Sequence, residues 1–539
     1  MSSVRVRTTA GVVEGRSDES VVAFLGVPYG APTGGDDRFM PPRPVKEWLG
    51  VRPATTWGPR SYQTAAPNAF HERFPRTFAA IVGDDLTLDV PMSEDCLTVN
   101  VWTPASESSR PRPVLFWLHG GGACGSPSEY RADGSVIASR GDVVVVSVTH
   151  RLNVFGYLYL PHIAGEAYRT SGGVGHLDLI AALEWVRDNI ARFGGDPHDV
   201  TVFGESAGGA KLAGLMAMPQ ARSLFQRAVI QSGAETSTGL SATIEEAKEF
   251  TAAFLAELSL SAENWAELLR LPAEQLVRTH EVVSQQLGVP YVLPPPGPTI
   301  DGVVLPLSPI EAAVAGECAD VPLMIGACRD ETKLFLLSED SFGGHDGLGA
   351  SPKSARSNEL DGPLAMVGRE AFEEWLGPGA REIIDAYRRS RPDASFPELE
   401  SAVRGDRQFL VPSLRFAEAL LKTGHAPVYV YSFAWESDVV PGLGAFHSMD
   451  IQFFFSTTDR MPITNLDPTS QPLAERMTDA LIAFARSGDP NHAGLPQWAP
   501  YDPERRATMI FDRACEVADD PRSDERRAWQ SVPTDRLGF

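Results

Sequence analysis

Apolar residues along this chain gather in short runs bounded by turn formers. Eight runs stand out: 99–102 (VNVW), 113–118 (PVLFWL), 143–148 (VVVVSV), 200–203 (VTVF), 227–231 (RAVIQ), 321–326 (VPLMIG), 427–433 (PVYVYSF) and 508–511 (TMIF). Those at 143–148 and 200–203 do not alternate with polar residues, as expected of strands buried on both faces of a parallel sheet. Helical patterns lie between the runs. Residues 176–193 (HLDLIAALEWVRDNIARF) carry apolar side chains at 177, 179, 180, 183, 186 and 190, one face of a helix that Gly194-Gly195-Asp196-Pro197 stops. Residues 473–487 predict another helix, ended by Gly488-Asp489-Pro490. Strands alternating with helices predict a doubly wound α/β sheet.

Two stretches break the rhythm. Residues 240–280, rich in Ala, Glu and Leu, predict helices, and the Gly/Ser-rich 338–362 predicts a mobile surface loop. No repeat or linker divides the chain. The expectation is one unit over 1–539 with helical lid regions at about 235–320 and 338–425.

Composition narrows the class. The chain has 539 residues, 43% of them hydrophobic, with 47 Lys+Arg against 70 Asp+Glu for a net charge of −23. That balance argues against nucleic-acid or anionic-membrane partners. No stretch of 18 apolar residues predicts a membrane span, and the N-terminal MSSVRVRTTAGVVEGRSDES lacks the apolar core of a secretory leader. The cysteines, at 96, 124, 318, 328 and 515, have no metal-site spacing. They predict reduced thiols in a cytoplasmic protein.

The candidate chemistry centres on Gly204-Glu205-Ser206-Ala207-Gly208, which follows the strand run VTVF and opens a small-residue stretch. A G-x-S-x-G between strand and helix predicts a sharp turn that lifts the serine above the sheet edge. Glycines flank it because strand and helix there approach too closely for side chains. A serine hydroxyl becomes an effective nucleophile once a base takes its proton. His119-Gly120-Gly121-Gly122 follows the strand run PVLFWL. Backbone N–H groups of such a loop can bind a developing oxyanion.

A base and an acid should follow the serine, acid first. Of His280, His345, His425, His447 and His492, only His447 sits past the C-terminal end of a predicted strand, PVYVYSF. Asp330 and Glu331 both follow the strand run VPLMIG, and position alone leaves the choice of acid open. Glu205, next to the serine, is expected to point away from the histidine and to be structural.

These residues resemble the type-B carboxylesterase family, which includes bacterial para-nitrobenzyl esterases and the cholinesterases. The resemblance runs through FLGVPYG (24–30), SEDCLTVNVWTP (93–104), HGGG (119–122), HRLNVFGYL (150–158), ARFGGDPHDVTVFGESAGG (191–209), IGACRDE (325–331), GAFHSMDIQFFF (444–455) and FARSGDPN (484–491). It implies an α/β-hydrolase fold and a serine ester hydrolase without cofactor. By that resemblance Ser206 is the nucleophile, His447 the base and Glu331 the acid. Gly121, Gly122 and Ala207 form the oxyanion hole, and Ser232 supports the triad. Arg38, Glu94, Asp95 and Arg151 match positions that pair as ions in relatives.

The chain departs from the family pattern at Ala123, where an aromatic residue is usual, and at Thr332, where Gly is. Cys96 is the first cysteine, so the bridge secreted relatives make from this position cannot form. The expected partner is a small-molecule ester, and the protein a monomer or homodimer. Other acyl transfer on the same triad (amide or carbamate hydrolysis, transesterification) and a non-catalytic binding protein of the same fold are the competing readings.

Overall fold

A computed structural model describes residues 2–63, 90–121, 132–234, 241–287, 297–333, 368–439, 442–534 and 537. The expected loop at 338–362, and with it Gly122, Ala123 and Cys124, lies outside the described residues.

Every apolar run becomes a strand. In chain order the strands are β1 (Ser2–Arg7), β2 (Val12–Ser17), β3 (Val21–Pro28), β4 (Val51–Pro53), β5 (Thr98–Pro104), β6 (Arg112–Leu118), β7 (Val144–Val148), β8 (Gly195–Glu205), β9 (Arg227–Gln231), β10 (Leu323–Cys328), β11 (Val428–Phe433), β12 (Ala507–Phe511) and β13 (Glu516–Asp519). They form one 13-stranded sheet ordered β1-β2-β3-β5-β7-β6-β8-β9-β10-β11-β12-β13, with β4 against β2. From β7 to β12 every neighbouring pair is parallel; β1, β2, β3, β5 and β13 join antiparallel at the two sides. The run at 143–148 does not alternate because Val144, Val145 and Val146 are all fully buried, layered over on both faces.

The helix predicted at 176–193 runs Val174–Asn189, then tightens into a 3₁₀ turn, Ile190–Phe193. Gly194 ends it at φ 86°, a left-handed conformation that suits glycine. The second predicted helix spans Ser470–Ser487 and stops at Gly488, φ 75°. The 240–280 region holds helices Ile244–Glu257 and Ala273–Gln286, the first opened by a capping box between Thr243 and Glu246.

The sheet buries both faces. On one side Val114, Phe116, Val200 and Val202 pack under Leu179, Leu183, Leu212 and Leu215 of helices 174–189 and 207–217. On the other, Trp117, Phe203, Met324 and Tyr431 meet Phe453, Phe454, Leu481 and Phe484 of helices 450–455 and 470–487. A third cluster joins helices 244–257 and 273–286 to Phe39, Val154 and Phe155. A fourth joins helices 369–376, 380–390 and 396–405 to Trp529 near the C-terminus. Among the described residues no helix is long and apolar enough to cross a membrane.

The topology locates a crevice. The chain leaves β6 for β7 on one side, then returns past β6 to β8 on the other. A doubly wound sheet opens at such a reversal, outside the C-terminal ends of the strands. Leu118 of β6 pairs with Gly204 of β8, so the loop from His119 and the turn at Ser206 leave the sheet side by side.

Candidate active site

Ser206 sits between the end of β8 and the helix Ala207–Ala217, at φ 55° and ψ −124°. A non-glycine residue there is strained, and surrounding contacts must hold it. The Ser206 N–H donates to Gln231 O (2.8 Å), and its carbonyl accepts from the Ala210 N–H (3.0 Å). The flanking glycines are required by space. A Cβ on Gly204 would come within 2.6 Å of the Gly208 backbone, and one on Gly208 would overlap the Leu118 carbonyl oxygen. Gly233 is equally constrained, since a Cβ would overlap the Ser206 carbonyl. Ala207 opens the helix, where the first N–H groups lack intrahelical acceptors and carry the positive end of the helix dipole.

The loop after β6 faces this turn. A Cβ on Gly120 would lie 2.7 Å from Glu205 Oε2, so the loop backbone rests directly on the elbow. Gly121 adopts φ 89°, open to glycine. The ring of His119 lies with Nδ1 3.0 Å from Gly120 O. A carbonyl only accepts, so Nδ1 carries the proton, and this bond orients the peptide that bears the Gly121 N–H. Burial and the nearby Lys211 charge push His119 down to about 3, keeping it neutral. Lys211 Nζ donates to His119 O (3.5 Å) from the helix below. Nothing in the spacing of the motif revealed this support.

Past β11, His447 returns to the crevice with Nδ1 2.5 Å from Glu331 Oε2. Its backbone N–H also donates to Glu331 O (3.1 Å). The other Glu331 oxygen, Oε1, accepts from the Cys328 N–H (2.7 Å). Ser232, at φ 46°, sends its Oγ to the same N–H (3.4 Å) and so touches the group that anchors the acid. Asp330 turns elsewhere. It accepts from the Ala445 N–H (3.0 Å) and pairs with Arg329 and Lys333. Geometry thus separates two carboxylates that residue order could not.

Glu205 is a correction. Its side chain does not point away from the histidine: Oε1 lies 3.3 Å from His447 Nε2 and accepts from Ser448 Oγ (2.6 Å). At the end of β8 the pleat aims the residue before the serine across the sheet face, toward the loop carrying His447. Burial lowers the His447 pKa, but Glu205 and Glu331 outweigh it and raise the group to about 9. Asp450, fully buried three residues on, is raised to about 8 by burial and by the Glu205 charge; Tyr431 OH donates to it (2.9 Å).

Two further contacts had no signal in the sequence. Phe409 lies tilted against the His447 ring, centroids 4.6 Å apart. Thr332, the departure next to the acid, donates its hydroxyl to Ser401 O (2.8 Å), tying the acid segment to helix 396–405.

Of the four residues expected to pair as ions, Arg38 and Glu94 do so through two bonds, 2.8 and 2.6 Å. Arg151 pairs instead with Asp178, at 2.6 and 2.8 Å in full burial. Asp95 makes no ion pair among the described residues. Nor do the described residues include a group of three or more His, Cys, Asp or Glu arranged to hold a metal ion.

Comparison with known proteins bears on this geometry. The profile of the carboxylesterase family matches residues 2–529. The para-nitrobenzyl esterase of Bacillus subtilis is 34% identical over 532 residues, covering 97% of each chain. The phenmedipham hydrolase of Pseudarthrobacter oxydans is 32% identical, covering 95% of this chain and 96% of its own. The crystal structure of a Geobacillus stearothermophilus carboxylesterase superposes with a TM-score of 0.80 at 37% identity, over 98% of this chain and 100% of the other.

Proposed function

Since the chain belongs to the carboxylesterase family, has the α/β-hydrolase fold and is a serine hydrolase of carboxylic esters, we propose that it works through an acyl-enzyme on Ser206, with His447 as base and Glu331 as its acid. His447 Nε2 takes the Ser206 proton as Oγ attacks the ester carbonyl. The N–H groups of Gly121, Gly122 and Ala207 hold the oxyanion; Gly122 enters on the motif alone. The imidazolium then protonates the departing alcohol. Water, deprotonated by the same nitrogen, releases the carboxylic acid and restores Ser206.

The observation that carries this reading is the 2.5 Å contact between His447 Nδ1 and Glu331 Oε2. It holds Nδ1, so that Nε2, which also faces Glu205 Oε1 at 3.3 Å, is the nitrogen that takes the serine proton, and it stabilises the imidazolium that forms. Glu205 and Ser232 act as supports, one through His447 and one through the amide holding Glu331. The helical regions read as inserts of one unit that wall the site. In their favour, Phe409 reaches His447 and Ser401 reaches Thr332.

The substrate is a small-molecule ester, and the protein reads as cytoplasmic, a monomer or homodimer. Ser206→Ala should reduce turnover of a short acyl ester by ~10⁶, the scale of losing a triad nucleophile. Retained turnover overturns the assignment. Intact-mass detection of a stoichiometric acyl adduct on Ser206 is the direct check.

A further inference from the structure

Inner strands of a parallel sheet are ordinarily covered on both faces, yet one face of β11 and β12 is partly open. Ser432 and Ile510, register partners on these two strands, are only half-buried. Their chain neighbours Tyr431, Phe433, Met509 and Phe511, packed on the opposite face, are fully buried. Over Ser432 and Ile510 lies a cavity of about 260 Å³. Leu410 and Leu414, four residues apart and half-buried, line it from the helical side, and Arg522 and Glu525 line it from the C-terminal segment. Its accessible surface is mostly apolar. An apolar cavity of ~150 Å³ accommodates benzene, so this one has room for a substituted ring.

The charges at its wall leave little for an ion. Arginines and carboxylates line it in equal number, and each arginine already has an acid partner. Arg522 pairs with Asp406 and Glu525, Arg526 with Asp520, Arg506 with Glu418 and Arg329 with Asp330. A charged ligand would have to break one of these pairs, whereas a neutral one would not. The Ser432 hydroxyl on the floor can donate to a single acceptor. The same lining reaches the catalytic pair. Helix Phe396–Gly405 runs on through a π-turn, Asp406–Leu410, whose two ends line the cavity. Within that turn Phe409 lies against His447, and Gly405, just before it, packs on Glu331.

We propose that this cavity binds a small uncharged molecule with an apolar body and one hydrogen-bond acceptor, such as a ketone or a neutral ester, and that its occupancy is felt at His447 through the turn Asp406–Leu410. The binding stands apart from the reading of Ser206; the effect on turnover rests on it.

Acetophenone, benzoate and benzylammonium have similar bodies and differ in charge. Titration calorimetry on the full chain should show acetophenone bound about tenfold or more tightly than either ion. Ser432→Leu fills the cavity from its floor and should weaken acetophenone by about tenfold or more, the scale of a lost hydrogen bond and its apolar contact. Leu414→Trp fills it from the helical side and decides the matter if Ser432→Leu fails to fold. Acetophenone should also change kcat for a short acyl ester, an effect that the filled variants lose. Binding that is equal in parent and filled variants overturns the cavity as the site. An ion bound as tightly as the ketone overturns the neutral class. A ketone effect confined to KM, and unchanged in the filled variants, places the ketone in the catalytic crevice and overturns the coupling. Calorimetry needs no turnover, so failure of the triad reading leaves the binding result intact.

Discussion

Replacing Glu205 by Gln removes one charge beside His447 while keeping the size of the side chain. Ser448 Oγ donates to Glu205 Oε1, and a glutamine carbonyl can accept the same bond. The lost interaction spans 3.3 Å, from Oε1 to His447 Nε2. Coulomb's law gives ~1.3 kcal/mol for that distance at the dielectric of water and ~5 kcal/mol at an effective value of ~20. Each pKa unit is about 1.36 kcal/mol, so water screening alone sets a floor of about one unit.

The whole displacement points the same way. His447 stands at about 9 against an ordinary 6.5, with Glu205 and Glu331 together overcoming the opposing effect of burial. The share of Glu205 is therefore about one unit or more. The sign follows from the chemistry. As the proposed base, His447 works only when neutral, so kcat/KM climbs with pH through its pKa, and lowering that pKa moves the climb to lower pH.

Glu205→Gln should thus shift the acid limb of the kcat/KM profile down by about one unit or more, measured with a neutral ester between pH 5 and 10. At pH 6–7 the variant should retain a larger fraction of its own plateau rate than the parent does. The same change lowers Asp450, and its earlier ionisation offsets part of the shift on His447. An acid limb that stays in place or moves upward refutes the reasoning, because the carboxylate would then not set the charge of His447.

Three further outcomes follow from the geometry. Glu331→Gln should lower kcat by about 10³–10⁴, through loss of the carboxylate on Nδ1, whereas Asp330→Asn should cost less than tenfold; the reverse order in steady-state assays would contradict the contacts seen. Gly208→Ala should abolish activity and lower the thermal midpoint by several degrees, since the new methyl overlaps the Leu118 carbonyl, and calorimetry alongside an ester assay reads both. Arg151→Met strands the buried Asp178 carboxylate and should cost about 3–5 kcal/mol in urea unfolding; Arg151→Met with Asp178→Leu should recover a large part, and a double variant no better than the single would count against the pair as the cause.

Much of the fold was legible before any coordinates. The apolar runs became strands, and glycines ended both long helices. The elbow at Ser206 and the loop from His119 follow from strand, turn and glycine chemistry that is local to a few residues. So does the short list of candidates for base and acid, because chain order in a doubly wound sheet constrains which strand end each loop leaves.

The choice between Asp330 and Glu331 was different in kind. Only the packing of the loop after β11 brings His447 to one and Ala445 to the other. Glu205 was misjudged for the same reason: its place beside Ser206 in the sequence says nothing of which loop folds over the sheet face to meet it. Phe409 and Asp450 had no signature at all, since each acquires its partner from a segment distant along the chain. Sequence determines what a stretch can become, through local sterics and periodicity. Which charges and rings end up facing one another is settled by long-range packing, and here that packing governs how readily the histidine gives up its proton.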